Sequence, residues 1–193
     1  MVSMGVDLDY NQYTGFAQIP YKIMEYLMVS NTSIWKLLKY NQPNALQQPD
    51  LTMAEKRKLV YKPIPDASDD PNAYCLYTVR FIDDAMTAEM THLHIYINHV
   101  VPQNAQVGTV DICFDVFCHN KIAVLSHPNY KPNRYDVMFE ELMKTLNGKD
   151  VDTLGRLYFN RSGFSSGSEA RLAAFSSNGT YQGHHIVMSV NVG

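Results

Sequence analysis

The residues best placed to do chemistry stand in "THLHIYINH", 91–99, where three histidines fall within eight positions. His92 and His94 are separated by one residue, so a β-strand turns both imidazoles to one face, as a metal site requires. His99 has the opposite parity and faces away unless the strand ends or bulges before it. Zinc takes three or four ligands, and Asp111 or Asp115, on the polar side of the following strand-like segment, supplies a third if the register allows. The plainer reading is that His92, His94, Tyr96 and Asn98 form a polar strand face, turned to solvent or to another subunit. On that reading, exchanging both histidines for alanine leaves the fold intact. An H-x-H pair alone specifies little. In "CFDVFCHN", Cys118 and His119 diverge by parity and cannot meet as nucleophile and base, and His184 and His185 in "GHHIV" diverge in the same way. No G-x-S-x-G, phosphate-binding glycine loop, H-E-x-x-H or C-x-x-C occurs.

The elements that must position these residues change period along the chain. Residues 1–19 are polar, tyrosine-rich and weakly patterned, which predicts an extended arm that orders when something binds it. From Pro20, a favoured first helical residue, Ile23, Met24, Leu27 and Met28 recur at helical spacing. "SNTS" (30–33) then ends that helix and caps a second one, running to about Tyr40. Thr52 with Glu55 makes a capping box for a helix over about 53–61, stopped by Pro63 and Pro65. After the turn-rich "DASDDPN" the period becomes two. "AYCLYTVRFID" (73–83), "AEMTHLHIYINHVV" (88–101) and "TVDICFDVFCHN" (109–120) read as half-buried strands with polar outer faces, the habit of a sheet covered on one side.

"KIAVLS" predicts a further short strand and "HPNYKPN" a loop, with Asn133 as N-cap of the helix that follows. There Tyr135, Met138, Phe139, Leu142, Met143 and Leu146 form one apolar stripe that Gly148 ends. "LGRLYFN" (154–160) and "HHIVMSVNV" (184–192) predict two more strands, with "RSGFSSGSEA" between them a flexible loop. The expected class is α+β. A mixed or antiparallel sheet carries one amphipathic helix on a face, and a single domain over 20–193 combines a helical part (20–65) with a sheet-and-helix core (74–193).

Composition narrows the function. A net charge of −3 with 16 scattered basic residues gives no nucleic-acid footprint. "EKRKLVYK" (55–62), the one basic cluster, reads as the solvated face of a short helix. No run approaches a bilayer-spanning length, and the first residues lack the pattern of a secretory signal. Cys75, Cys113 and Cys118 are an odd set on strand-like segments and read as buried thiols, consistent with an intracellular origin. Thirteen tyrosines and ten methionines suit interfaces between subunits.

The succession "DVFCHNKIAVL", a polar loop, "NRYDVMFEELMKTLNG", "LGRLYFN", a Gly/Ser loop and "YQGHHIVMSVNV" resembles the tail-terminator and neck (head-to-tail connector) proteins of tailed bacteriophages. The matching positions are Arg134 and Asp136 at a helix start, Gly155 to Leu157 in a G-x-L strand, and Tyr181 with Gly183 entering the last strand. "IWKLLKYNQPNALQQPDLT" (34–52) resembles the N-terminal helical part of phage neck proteins. The resemblance covers about 20–192. It implies a small α+β domain that forms a six- or twelvefold ring between the portal vertex and the tail, with no catalytic residues and no cofactor. The N-terminal arm and helical third exceed a minimal terminator domain. The expected protein is a virion component assembled in the host cytoplasm. Its partners are its own copies and portal-adaptor or tail proteins, with no membrane and no specific nucleic acid, although the genome would pass through the channel. The alternative is an intracellular metal-binding protein or enzyme using His92 and His94.

Overall fold

The computed structural model describes residues 15–67, 69–80, 88–103, 108–159, 170–176 and 179–192, the last without its side chain. The expected arm therefore lies outside the described residues up to 14, as does most of the Gly/Ser loop. Where the arm meets the fold it is not extended: Phe16–Gln18 form a 3-10 turn, and α1 (Ile19–Ser30) starts at once with Pro20 in its first turn. Ile23, Met24, Leu27 and Met28 are buried as their spacing predicts. The chain turns extended at Asn31, whose Oδ1 accepts the Ile34 N–H (2.8 Å) and so opens α2 (Ser33–Lys39). The Asn31 amide also donates to Glu141 Oε2 and Thr145 Oγ1, tying this turn to the later helix α4.

The capping box forms as expected: the Thr52 hydroxyl accepts from Glu55 N, and Glu55 Oε2 accepts from Thr52 N. The helix it opens, α3 (Met53–Lys58), stops three residues short of Tyr61 because the chain there joins the sheet edge. Tyr61 N donates to Leu76 O, and Val60 bridges Leu76 in parallel. The adjoining strand β1 is only Leu76–Tyr77, so the long alternating strand predicted from Ala73 is not made. Its stretch over 81–83 lies outside the described residues.

The sheet is mixed, in the order β1-β2-β3-β6-β4, with β5 also on β6. Its body is three 12-residue antiparallel strands, β2 (Thr91–Pro102), β3 (Gly108–His119) and β6 (Tyr181–Val192). β1 runs parallel to β2 at one edge. At the other edge β4 (Leu157–Tyr158) and β5 (Ala170–Ala174) share the length of β6. β4 is a remnant of the strand predicted over 154–160, because Gly155 at φ 85° bends the backbone out of extension. The strand predicted at "KIAVLS" is replaced by a 3-10 turn and a single bridge from Val124 to Asn133.

α4 (Arg134–Leu146) carries its stripe onto β3 and β6, with Met138, Leu142 and Leu146 fully enclosed, and ends before Gly148 at φ 72°. Asn133 takes the N-cap position, but its amide donates to Asp136 Oδ2 instead of capping the backbone. α1 and α2 pack on β2 beside α4. One hydrophobic core therefore joins Ile19 at the start of the helical part to Val190 in the last strand. The fold is α+β with its helices on one sheet face. No described helix is long and apolar enough to cross a membrane.

The sheet is not covered on one side only. β3 is buried from Gly108 to Cys118, on both faces, and β2 from Thr91 to Tyr96. Of the polar face predicted to meet solvent or another subunit, His92, His94 and Tyr96 are inside the protein, and Asn98 is exposed. Alternation reveals two faces but not what lies over the second.

Candidate functional site

The second face of the sheet gathers the side chains with chemistry. His92 and His94 do share it, and Asp115 stands opposite His94 in the register. Asp115 is already engaged: its Oδ2 accepts from Tyr96 Oη (2.9 Å) and its Oδ1 from His185 Nδ1 (2.6 Å). The far nitrogen of His185 lies 3.7 Å from Cys113 Sγ. Thiol, imidazole, carboxylate and phenol thus form a row across β3, β6 and β2, brought together because Cys113 and Asp115 are two apart on β3 and His185 pairs with Asp115 in register. The Asp115 hydrogen bond first, and then the Cys113 sulfur, push the His185 imidazole up to about 10 against the opposing effect of burial. At neutral pH it is an imidazolium facing a carboxylate.

A second polar group sits beside the row. Asp111 Oδ1 accepts from Ser189 Oγ (2.7 Å), and its Oδ2 lies 4.0 Å from His99 Nδ1. His99 reaches this face because β2 bulges: Ile97 pairs with Ile112 but His99 pairs with Asp111, leaving Asn98 as the extra residue. That is the exception under which its parity could reverse.

His92 and His94 lie in aromatic surroundings. The His92 ring stacks on Phe117 (centroids 5.1 Å, 24° between planes), and His94 packs on Tyr77 (4.7 Å) and Phe117 (5.1 Å). Phe175 and Tyr181 complete the layer around Phe117. The two imidazoles are 6.3 Å apart and nearly perpendicular. Neither carboxylate expected as a third ligand turns to them, and among the described residues no three His, Cys, Asp or Glu side chains gather as a metal site would need. Burial, and then the neighbouring His94, push His92 down to about 3. Burial lowers His94 as well, against the opposing influence of the Arg80 carbonyl and Asp115. Both imidazoles are neutral at pH 7.

The other adjacent pairs diverge as their parity predicts. Cys118 is in the core while His119 turns outward, and burial pushes the Cys118 thiol up to about 11. His184 faces the helical side, where its Nε2 meets Asp136 Oδ1 at 2.6 Å and its ring lies against Tyr135 and Phe139.

The motif positions at 134–183 all build framework. The buried Arg134 guanidinium donates to four carbonyls, Ile122, Leu37, Tyr40 and Gln42, and so closes the end of α2. Burial lowers it to about 10, still charged at neutral pH. Leu157 is in the core, and Tyr181 donates its hydroxyl to Ala88 O. At Gly183 a Cβ would stand 1.9 Å from Val116 O and 2.5 Å from Phe117 Cα, so only glycine fits where β6 pairs this closely with β3. Parity alone carries no signal for the Cys113–His185–Asp115 row, whose members are up to 72 positions apart. Only the pairing of β3 with β6 could have revealed it.

The row has the order that nucleophilic catalysis uses, but a nucleophile must reach its substrate. Cys113 is 0% exposed. An open concavity of about 370 Å³ lies elsewhere, along α1 and α3, lined by Met24, Met28, Val29, Met53 and Val60 with Glu25, Arg57 and Lys62. The fold and its enclosed face thus define a small α+β protein that keeps a paired His185–Asp115 and an unpaired His92–His94 inside one face of the sheet. A family model matches residues 31–190, and the chain belongs to the YomW family, a name that suggests a phage origin. No curated protein matches the sequence.

Proposed function

We propose that this phage-associated protein is a structural component of a tailed-phage virion: a ring-forming neck protein, tail terminator or head-to-tail connector, that joins the portal side of the capsid to the tail. The observation that carries the reading is the use made of the neck-like motif. Arg134, Asp136, Gly155, Leu157, Tyr181 and Gly183 serve backbone closure, turns, core packing and close strand pairing, within a family whose name suggests a phage origin. A motif of that kind preserves a shape. The enclosed Cys113 sulfur and the saturated Asp115 support a non-catalytic role without cofactor, and the concavity lies away from both. The partners are sister protomers and portal-adaptor or tail proteins in the virion.

A ring arises when the same heterologous contact repeats and closes. Native mass spectrometry and negative-stain electron microscopy of the purified protein test this, with six- or twelvefold rings around a channel expected. A species that stays monomeric over a hundredfold range of concentration would overturn it. Stoichiometric zinc, iron or manganese by elemental analysis would favour the metal-binding alternative.

A further inference from the structure

The His92–His94 pair is packed as no ordinary surface histidine is. Both side chains are buried, and His92 Nδ1, His92 Nε2 and His94 Nε2 have no hydrogen-bond partner among the described residues. His94 Nδ1 lies 3.1 Å from Arg80 O, which fixes its proton on Nδ1 because a carbonyl only accepts. The walls are Tyr77 of β1, Phe117 of β3, Tyr181 of β6 and Phe175 after β5. Through Tyr77 and Arg80 the pair also holds the segment 74–80 against the sheet. Tyr77 itself rests on Tyr61 (5.3 Å) and donates to Tyr74 O.

We propose that the His92–His94 pair is an acid-sensitive latch: its imidazoles take up a proton only as β1 and the turn to Arg80 part from β2, so acid draws that edge open while the rest of the sheet stays closed. The charged and titratable groups facing the pair, element by element, explain why. On β2 itself there is Tyr96, whose hydroxyl is committed to Asp115. β3 presents Asp115 and Cys113, and the carboxylate is shared between Tyr96 and the His185 imidazolium. β6 adds His185, itself positive, and Tyr181; Glu89, just ahead of β2, acts on Tyr181 but is paired with Lys121, and Arg171 of β5, in register with His185, is exposed. Beyond β1, Tyr77 and Tyr74 are neutral phenols, and Arg80 adds a cation 6.0 Å from the Tyr96 ring. A new positive charge on His92 finds the neighbouring His94 and aromatic rings, and no carboxylate free of other partners among the described residues. Burying it unpaired costs more than letting water in. Opening falls on β1 because that strand is two residues long and is held on its outer side only by the short bridge at Val60, whereas β3 is paired along its length on both sides.

Hydrogen exchange read by mass spectrometry, corrected for the intrinsic pH dependence, tests the latch on the full chain between pH 7.5 and 4.5. Exchange in 74–80 and 91–96 is expected to rise at least tenfold across that range, with 110–118 and 184–190 unchanged. His92→Phe with His94→Phe keeps the rings and removes the titration, so its opening should be lost or move down by at least one pH unit. The same midpoint in the variant, or loosening of all strands together in the natural protein, overturns the proposal. If the variant fails to fold, NMR titration of His92 in the natural protein decides. A folded-state imidazole that charges near pH 6.5 with 74–80 still protected sinks the latch, and one that stays neutral until the segment opens upholds it.

Discussion

At the scale of single residues, the second face of the sheet joins two opposite solutions to burying histidine. His185 is charged and paired with Asp115, and His92 is neutral and unpaired. Only the parity of these side chains is legible in the sequence. Their partners depend on a register set by strands far apart in the chain, and on a bulge at Asn98 that the alternation "HIYINHV" does not announce. The histidines expected on an exposed or subunit-facing strand are therefore interior, and exchanging both for alanine would leave a void between Phe117 and Tyr77 where the fold was expected to be unaffected. The sharpest constraint at this scale is Gly183. A Gly183→Ala methyl group meets backbone on β3, which cannot move aside as a flexible side chain does. Thermal and urea unfolding of that variant should show a loss of about 3 kcal/mol, the upper range for overpacking.

At the scale of elements, helix ends decide how the helical part attaches. Two buried cations sit where helix carbonyls end and the dipole is negative. Lys56 Nζ donates to Met28 O (2.5 Å) at the close of α1 and lies 5.7 Å from the Trp35 ring. Arg134 does the same for α2 from the first residue of α4. Arg134→Met should lower stability in urea titration by about 3 kcal/mol or more, because several carbonyls lose their donor inside the protein. Arg134→Lys should recover less than half of that loss, since an ammonium cannot fork across four carbonyls on two stretches of chain. The elements legible in advance are those with sustained period: α1 and α4 at helical spacing, and β2, β3 and β6 by alternation. β5 begins at the last residue of the loop predicted over 161–170 and has no strand signal, because "ARLAA" has neither alternation nor β-branched residues. β1 was overextended because alternation continues past the point where the chain bends away.

For the whole molecule, the two kinds of buried histidine bracket a pH window. The folded His185 value is raised to about 10 from an ordinary value of about 6.5, so its contribution is complete below about pH 6.5 and is lost as pH rises toward 10. His92, lowered to about 3, has the opposite sign: stability is complete above about pH 6.5 and drains away as pH falls toward 3. Urea midpoints across pH should therefore fall on both sides of neutrality, and His185→Gln should flatten the alkaline limb alone. The reach of Arg134 has a further consequence, for synthesis. Its guanidinium meets Leu37 O across 97 positions, so α2 leaves the ribosome well before its closing cation is translated. At about 5 to 20 residues per second that interval is on the order of ten seconds. During it the carbonyls of Leu37, Tyr40 and Gln42 must stay with water, so closing the end of α2 is among the later steps of folding on the ribosome.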